Sequence, residues 1–164
     1  MKTIRGVTPE DRLQLAGLFE AVGLFEPREL VELADMLQGY FAGDLGPEHH
    51  WLAYHDDAGL RGAAYYAPDA SPERAAPGTW NLYFIGVLPE SQGSGCGSAL
   101  LRHVEEVLAS NGAFDLLVET SGRESFEATR SFYRKHGYTV VTRVSDAYGA
   151  GDDKVIFRKR LAGI

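Results

Sequence analysis

A single cysteine, Cys96, stands in the 164 residues of this chain. It excludes an internal disulfide and any metal site built from several cysteines, and it fits a reducing compartment. Basic residues are also scarce: 16 Lys and Arg stand against 23 Asp and Glu, a formal net charge of −7. That balance argues against a nucleic-acid partner and suits cationic small molecules or amines. No apolar stretch reaches membrane-spanning length, and the N-terminal MKTIRGVTPEDR lacks the apolar core of a secretion signal. The cytoplasm is therefore the expected compartment, with no membrane partner. Low-complexity tracts, internal repeats and linkers are missing as well. With 45% hydrophobic and 24% charged residues, the chain reads as one domain over residues 1–164 with a single core.

The stretch Thr79–Leu101 (TWNLYFIGVLPESQGSGCGSALL) is the most informative. Trp80 to Leu88 has the length and aromatic content of a buried strand. Pro89 ends it, because proline has no N–H to give a sheet ladder. Gln92-Gly93-Ser94-Gly95-Cys96-Gly97-Ser98 follows, and then Leu100, Val104, Val107 and Leu108 recur on one helical face. Strand, glycine-rich turn and helix succeed one another. Glycines let the backbone approach a ligand and take positive φ. The unpaired N–H groups of a first helical turn face an anion at the positive end of the helix dipole. The plain alternative is a glycine-rich helix start with no ligand.

Spacing separates the phosphate motifs. A Walker loop needs Gly-Lys-Ser/Thr, and no lysine lies in the turn. The dinucleotide fingerprint comes nearer: Gly93, Gly95 and Ser98 almost fit, and Glu119 sits about 20 residues on, where a ribose-binding acid belongs. In that fold the strand runs straight into the first glycine, whereas here Pro89-Glu90-Ser91-Gln92 intervene. Only 45 residues follow Glu119, too few for the remaining alternation of strands and helices. A nucleotide-binding oxidoreductase is disfavoured on those grounds.

Along the chain, residues 1–7 read as an edge strand. Thr8-Pro9-Glu10-Asp11 opens a helix with Leu15, Leu18, Phe19 and Val22 on its apolar face. Glu26-Pro27 opens a second, with Leu30, Leu33, Leu37 and Phe41 on its own. Asp44 to His50 is a loop; adjacent His49 and His50 face different ways with no third ligand near, and read as solvated rather than metal-binding. Strands Trp51–His55 and Leu60–Ala67 flank the turn DDAG, and Pro68–Gly78 is a proline-rich surface loop. After the central helix, which ends at Asn111-Gly112, come a strand Phe114–Thr120 and a helix from about Glu124 to His136. Strands Tyr138–Ser145 and Lys154–Leu161 close the chain. The predicted order is β-α-α-β-β-β-α-β-α-β-β.

Val87-x-Pro89-x-x-Gln92-Gly93-x-Gly95-x-Gly97-x-x-Leu100-Leu101 resembles the acyl-CoA signature Q/R-x-x-G-x-G/A of the GNAT acetyltransferase superfamily. Thr129-Arg130-x-Phe132-Tyr133-x-x-x-Gly137-Tyr138 resembles its second motif, A-x-x-L/F-Y-x-x-x-G-F/Y. The element order matches too, so the resemblance covers nearly the whole chain. It implies an α/β (α+β) GNAT fold: a mixed, mostly antiparallel sheet of roughly seven strands with four helices, splayed between the fourth and fifth strands. It implies acetyl-CoA as cosubstrate, no metal, an amine substrate, and a monomer or homodimer. The activity implied is direct N-acetyl transfer in a ternary complex, and the alternative is a non-catalytic acyl-CoA sensor of the same fold.

The resemblance also implies residue roles. Ile85, Gly86 and Val87 would pair with the pantetheine arm, and Gln92, Gly93, Ser94, Gly95, Cys96, Gly97 and Ser98 would hold the pyrophosphate. Thr129, Phe132 and Tyr133 lie on the helix that crosses the cofactor, with Tyr133 as the acid for the departing thiolate. A carboxylate that serves as base in some members corresponds here to Asn81, which takes no proton; Glu119, on the adjacent strand, is the nearest alternative. A sheet-end carboxylate satisfied by backbone N–H groups would look the same. Phe126 stands where many relatives have an asparagine that touches pantetheine. A helix N-terminus lowers a thiol pKa, so Cys96 is a candidate reactive thiol, although transfer in the family is direct. His103 and His136 read as solvated. Glu20, Glu26, Asp146, Tyr148, Asp152 and Asp153 are the candidates for selecting a cationic acceptor.

Overall fold

In the computed structural model, residues 1–70 and 78–161 are described. Apolar periodicity produces the elements where it points. Pro9–Asp11 forms a 3-10 turn that feeds helix α1, Arg12–Ala21, and the Asp11 carboxylate accepts the Thr8 backbone N–H at 2.8 Å. Proline sits where its missing N–H leaves no helical bond unmade. Helix α2, Pro27–Phe41, starts the same way, with the Glu26 N–H donated to Glu29 at 2.9 Å. Leu15, Leu18, Phe19 and Leu37 are buried, each worth about 1.5–3 kcal/mol of apolar burial.

Seven strands form one mixed sheet: β1 (Thr3–Gly6), β2 (His50–Asp56), β3 (Gly59–Pro68), β4 (Thr79–Val87), β5 (Asp115–Ser121), β6 (Thr139–Val144) and β7 (Lys154–Arg160). Their order across it is β1-β2-β3-β4-β5-β7-β6. The pairs β1–β2, β2–β3, β5–β7 and β6–β7 are antiparallel, while β4 and β5 are parallel. With helices α3 (Cys96–Ser110) and α4 (Glu127–Lys135), this is the predicted order of strands and helices. The helix expected from Glu124 begins as a 3-10 turn, Glu124–Phe126, and becomes α-helical at Glu127. Of the proline-rich loop expected over Pro68–Gly78, residues 71–77 lie outside the described residues.

The β4–β5 ladder is short. It runs from Thr79↔Asp115 to Leu82↔Val118, while β4 continues to Val87 and β5 to Ser121. β5 keeps its full pairing with β7 over the same length, from Asp115↔Arg160 to Ser121↔Lys154. The fourth and fifth strands therefore part after four residue pairs, leaving Ile85–Val87 without β5 partners.

The chain divides into two compact units, residues 1–67 with 84–104, and residues 68–83 with the chain from 105 on. In the first, Phe19, Trp51, Tyr65 and Phe84 form an aromatic core; Trp51 stacks on Tyr65 at 4.9 Å between centroids and meets Phe84 at 5.8 Å. Gly62 is required by crowding, because a Cβ there would lie 2.8 Å from the Gly86 carbonyl and 3.1 Å from Cys96 Sγ. In the second unit, Leu116, Val118, Tyr133, Tyr138, Ile156 and Phe157 are buried. The Tyr138 hydroxyl donates to Glu105 at 2.7 Å, and Lys159 meets the same carboxylate at 3.1 Å.

Candidate functional site

The first unit carries the glycine-rich turn. After β4, Pro89–Ser91 makes a 3-10 turn, and α3 begins at Cys96. Gly93 and Gly95 have φ of 78° and 90°, where side chains are strained, and a Cβ on either would meet nothing within 4 Å. Their backbone conformation, not lack of space, demands glycine. Gln92, Gly93, Ser94 and Gly95 are exposed, while Gly97 and Ser98 are half-buried in the first turn of α3. The Gln92 amide donates to the Val87 carbonyl at 3.2 Å, and the Ser94 hydroxyl donates to the Ser91 carbonyl. The Gln92 side chain thus ties the turn to the end of β4, close to the half-buried Ile85, Gly86 and Val87, and Ser94 ties it to the 3-10 turn.

Cys96 corrects the expectation of a reactive thiol. It is 2% exposed, and burial pushes its thiol up to about 11, with the Asp56 charge adding to the shift. Desolvation outweighs the helix terminus. Because the folded value lies above the ordinary 9.0, this contribution to stability is present below about pH 9 and is lost as pH rises through about 11. Native protein at pH 8 is expected to react with a thiol reagent many times more slowly than urea-unfolded protein, as followed by absorbance. Equal rates would show an accessible thiolate.

The two adjacent histidines are half-buried and partnered by aromatic side chains. The His49 ring bonds the Tyr65 hydroxyl, and His50 stacks on Tyr66 with centroids 5.0 Å apart, its pKa lowered by burial. Among the described residues, no group of three or more His, Cys, Asp or Glu is placed to hold a metal ion.

The second unit carries the acid–base candidates. Asn81 lies opposite Leu117 in the parallel ladder, so Glu119, two residues further along β5, faces the same side of the sheet. The Asn81 amide nitrogen donates to Glu119 at 3.3 Å and to Asp69 at 3.2 Å. Asn81 is 1% exposed and Asp69 8%. Lys154 on β7 meets the other Glu119 oxygen at 3.2 Å. Glu119 is therefore held by two side chains, an amide and an ammonium. Asp69 was missed in the sequence, where Pro68-Asp69-Ala70-Ser71-Pro72 carries only a turn signal.

Tyr133 is 3% exposed, with Phe132, Tyr138 and Phe157 at 5.4, 5.8 and 5.7 Å between ring centroids. Burial raises its pKa well above the ordinary phenol value, so the hydroxyl keeps its proton through the neutral range. Thr129 and Phe132 are half-buried on the same helix. His136 packs on Phe132 at 4.5 Å and its Nδ1 bonds the Phe132 carbonyl at 2.8 Å, so it too is partnered rather than solvated. Buried Arg130 donates to the carbonyls of Ser121 and Arg123, both at 2.7 Å, and pairs with Glu127 at 2.8 Å, which fastens α4 to the exit of β5.

The acids proposed for acceptor selection are partly consumed by partners in their own loop, at the exit of β5 and on β6. Asp152 accepts from Ser121 and pairs with Arg123 at 3.3 Å. Asp153 pairs with Arg143 at 2.8 Å and accepts the Asp146 N–H at 3.0 Å, while Asp146 accepts the Gly151 N–H at 2.8 Å. Tyr148 is half exposed, and Glu20 and Glu26 are exposed in the first unit. No described helix is long and apolar enough to cross a membrane.

Comparison with known proteins adds independent findings. The family model for the acetyltransferase (GNAT) domain matches residues 46–140. A crystal structure of a GNAT-family protein from Desulfovibrio desulfuricans is similar over 99% of this chain and 100% of its own, at 31% identity and TM-score 0.90. The ribosomal-protein-S18-alanine N-acetyltransferase of Escherichia coli shares the fold at 19% identity and TM-score 0.76, over 100% of this chain and 96% of its own. So does a phosphinothricin acetyltransferase from Sinorhizobium meliloti in complex with acetyl-CoA, at 18% identity and TM-score 0.75, over 98% and 88%. No curated protein matches the chain.

Proposed function

Because the chain belongs to the GNAT acetyltransferase family, we propose that it moves an acetyl group from acetyl-CoA to a primary amine by direct transfer in a ternary complex. The observation that carries this reading is the open glycine turn at the end of a strand whose ladder to β5 stops at Leu82. Backbone groups of Ile85, Gly86 and Val87 are free of β5 and can pair with an extended arm as an added strand would. The turn Gln92–Ser98 then receives the pyrophosphate on its N–H groups, and the resemblance of the α4 motif to that of the family supports a cofactor role for Thr129, Phe132 and Tyr133. Acetyl-CoA is a cosubstrate, and no metal takes part.

Glu119 takes the proton of the acceptor ammonium, and the freed nitrogen lone pair forms the bond to the thioester carbonyl carbon. Collapse breaks the C–S bond, and the Tyr133 hydroxyl donates to the departing thiolate. The second nitrogen proton passes to solvent, from which the phenol is made good. A cationic amine suits the charge of −7. The protein acts as one domain, in the cytoplasm, as a monomer or homodimer.

The buried Asn81 amide, at the position where some relatives carry a base, favours a second reading as an acyl-CoA sensor without catalysis. A free-thiol release assay with acetyl-CoA and a panel of amines separates the two. Thiol release that depends on both substrates is expected. Tight acetyl-CoA binding with no release for any amine would establish the sensor instead.

A further inference from the structure

We infer that Asp69 and Asn81 are positioning residues for Glu119: Asp69 fixes the orientation of the Asn81 amide, and that amide fixes the carboxylate that takes the acceptor proton. The inference rests on the base role of Glu119 proposed above and goes beyond it, because neither Asp69 nor Asn81 can be replaced there by packing alone.

Hydrogen-bond polarity sets the orientation of the amide. A carboxylate only accepts, and an asparagine side chain has one donating end and one accepting end. Asn81 lies between two carboxylates, 3.2 Å from Asp69 and 3.3 Å from Glu119 by its nitrogen. Turning the amide over would set its oxygen against both carboxylates, which is repulsive on both sides. Two acids therefore force a single orientation, with one N–H aimed at each. If Asp69 were neutral and able to donate, it would favour the turned amide, in opposition to Glu119, and the N–H aimed at Glu119 would be held by one acid instead of two. Lys154 also meets Glu119, at 3.2 Å, but a long flexible ammonium defines a direction less well than a buried amide.

Sequence distance shows why the arrangement is built and not accidental. The three residues come from β4, from β5, and from the first residue beyond β3, and 12 and 38 positions separate the bonded pairs. Asp69 is itself located by its backbone N–H, which donates to the Thr79 carbonyl at 3.0 Å across the start of β4. All of these groups belong to the second compact unit. An asparagine at the β4 position thus does for a neighbouring carboxylate what a carboxylate there would do directly: it sets where the acceptor proton goes.

The test is a double-mutant cycle on turnover. Asp69→Asn preserves shape and removes the acid that orients the amide. It is expected to lower kcat by roughly ten- to a hundredfold, the usual effect of a misplaced catalytic group, with the KM for acetyl-CoA unchanged. In a Glu119→Gln background the same substitution is expected to change kcat by less than about twofold, because the group it positions is gone. Asn81→Leu, which removes both donors at similar volume, provides a second cycle with the same expected pattern should Asp69→Asn fold poorly. Thermal melting and acetyl-CoA binding identify any variant that has lost its fold. An equal loss in both backgrounds would overturn the positioning role and leave Glu119 as base. Full turnover by Glu119→Gln alone would overturn the base assignment itself, and this inference with it.

Discussion

Tyr133→Phe is expected to bind acetyl-CoA nearly as well as the unaltered protein while turning over roughly 10²–10⁴ times more slowly, the usual contribution of one general acid. The substitution keeps the ring that packs between Phe132, Tyr138 and Phe157 and removes only the hydroxyl. Pyrophosphate and pantetheine are held mainly by backbone groups in the proposed complex, so affinity has little reason to change. Burial holds the phenol above its ordinary value near 10. It is therefore a hydrogen-bond donor at every pH where the enzyme works, and its donation strengthens as negative charge builds on sulfur. The loss should appear in kcat and in kcat/KM alike, which places the interaction in the transition state. Steady-state kinetics with the best acceptor from the amine panel, together with calorimetric titration of acetyl-CoA, make the measurement. Turnover retained by Tyr133→Phe would reduce Tyr133 to a packing residue.

Acetyl-CoA is expected to raise the melting temperature, by the equivalent of about 2.7 kcal/mol at a hundred times Kd, whereas NAD and ATP leave it unchanged. Gly97→Glu is expected to abolish that shift. Gly97 lies half-buried in the first turn of α3, and a glutamate there brings bulk and negative charge to the N–H groups proposed to receive the pyrophosphate. The helix itself tolerates the change, since glutamate is a better helix former than glycine and an acid suits a first turn. Scanning calorimetry with and without each ligand decides the matter. A folded Gly97→Glu protein that is still stabilised normally by acetyl-CoA would take the turn out of the mechanism, and stabilisation of the wild type by NAD would return the dinucleotide reading.

The element order was legible in the sequence because it depends on local pattern. Apolar residues at helical spacing placed Leu15, Leu18 and Phe19 inside α1, and Leu100, Val104 and Leu108 inside α3, where all are buried. Proline and glycine marked the ends: Pro89 follows β4, and Gly93 and Gly95 take the positive φ that the turn needs. Two residue patterns also pointed to the family before any comparison, since backbone recognition of a phosphate leaves a glycine signature in sequence.

Local rules failed where burial competes with them. Cys96 sits at a helix N-terminus, and the helix field alone would make it acidic. The chain packs it beside Gly62, and the desolvation of a thiolate outweighs that field. His49, His50 and His136 read as solvated, yet aromatic rings take them up: Tyr65 and Tyr66 of the next strand for the first two, and Phe132 one helical turn back for the third. Asp152 and Asp153 read as a free acidic run, but Arg123 and Arg143 neutralise them.

Residue pattern alone is enough for the list of strands and helices, the turn between β4 and α3, and the membership of Tyr133 in a recognisable motif. Each follows from residues within a few positions of one another. The company that Glu119 keeps depends instead on how the strands pair. The parallel register Asn81↔Leu117 brings an amide on β4 to a carboxylate 38 residues away, and the exit of β3 brings Asp69 to the other side of the same amide. Register is a property of two strands together, and a shift of one residue would turn Glu119 to the opposite face of the sheet.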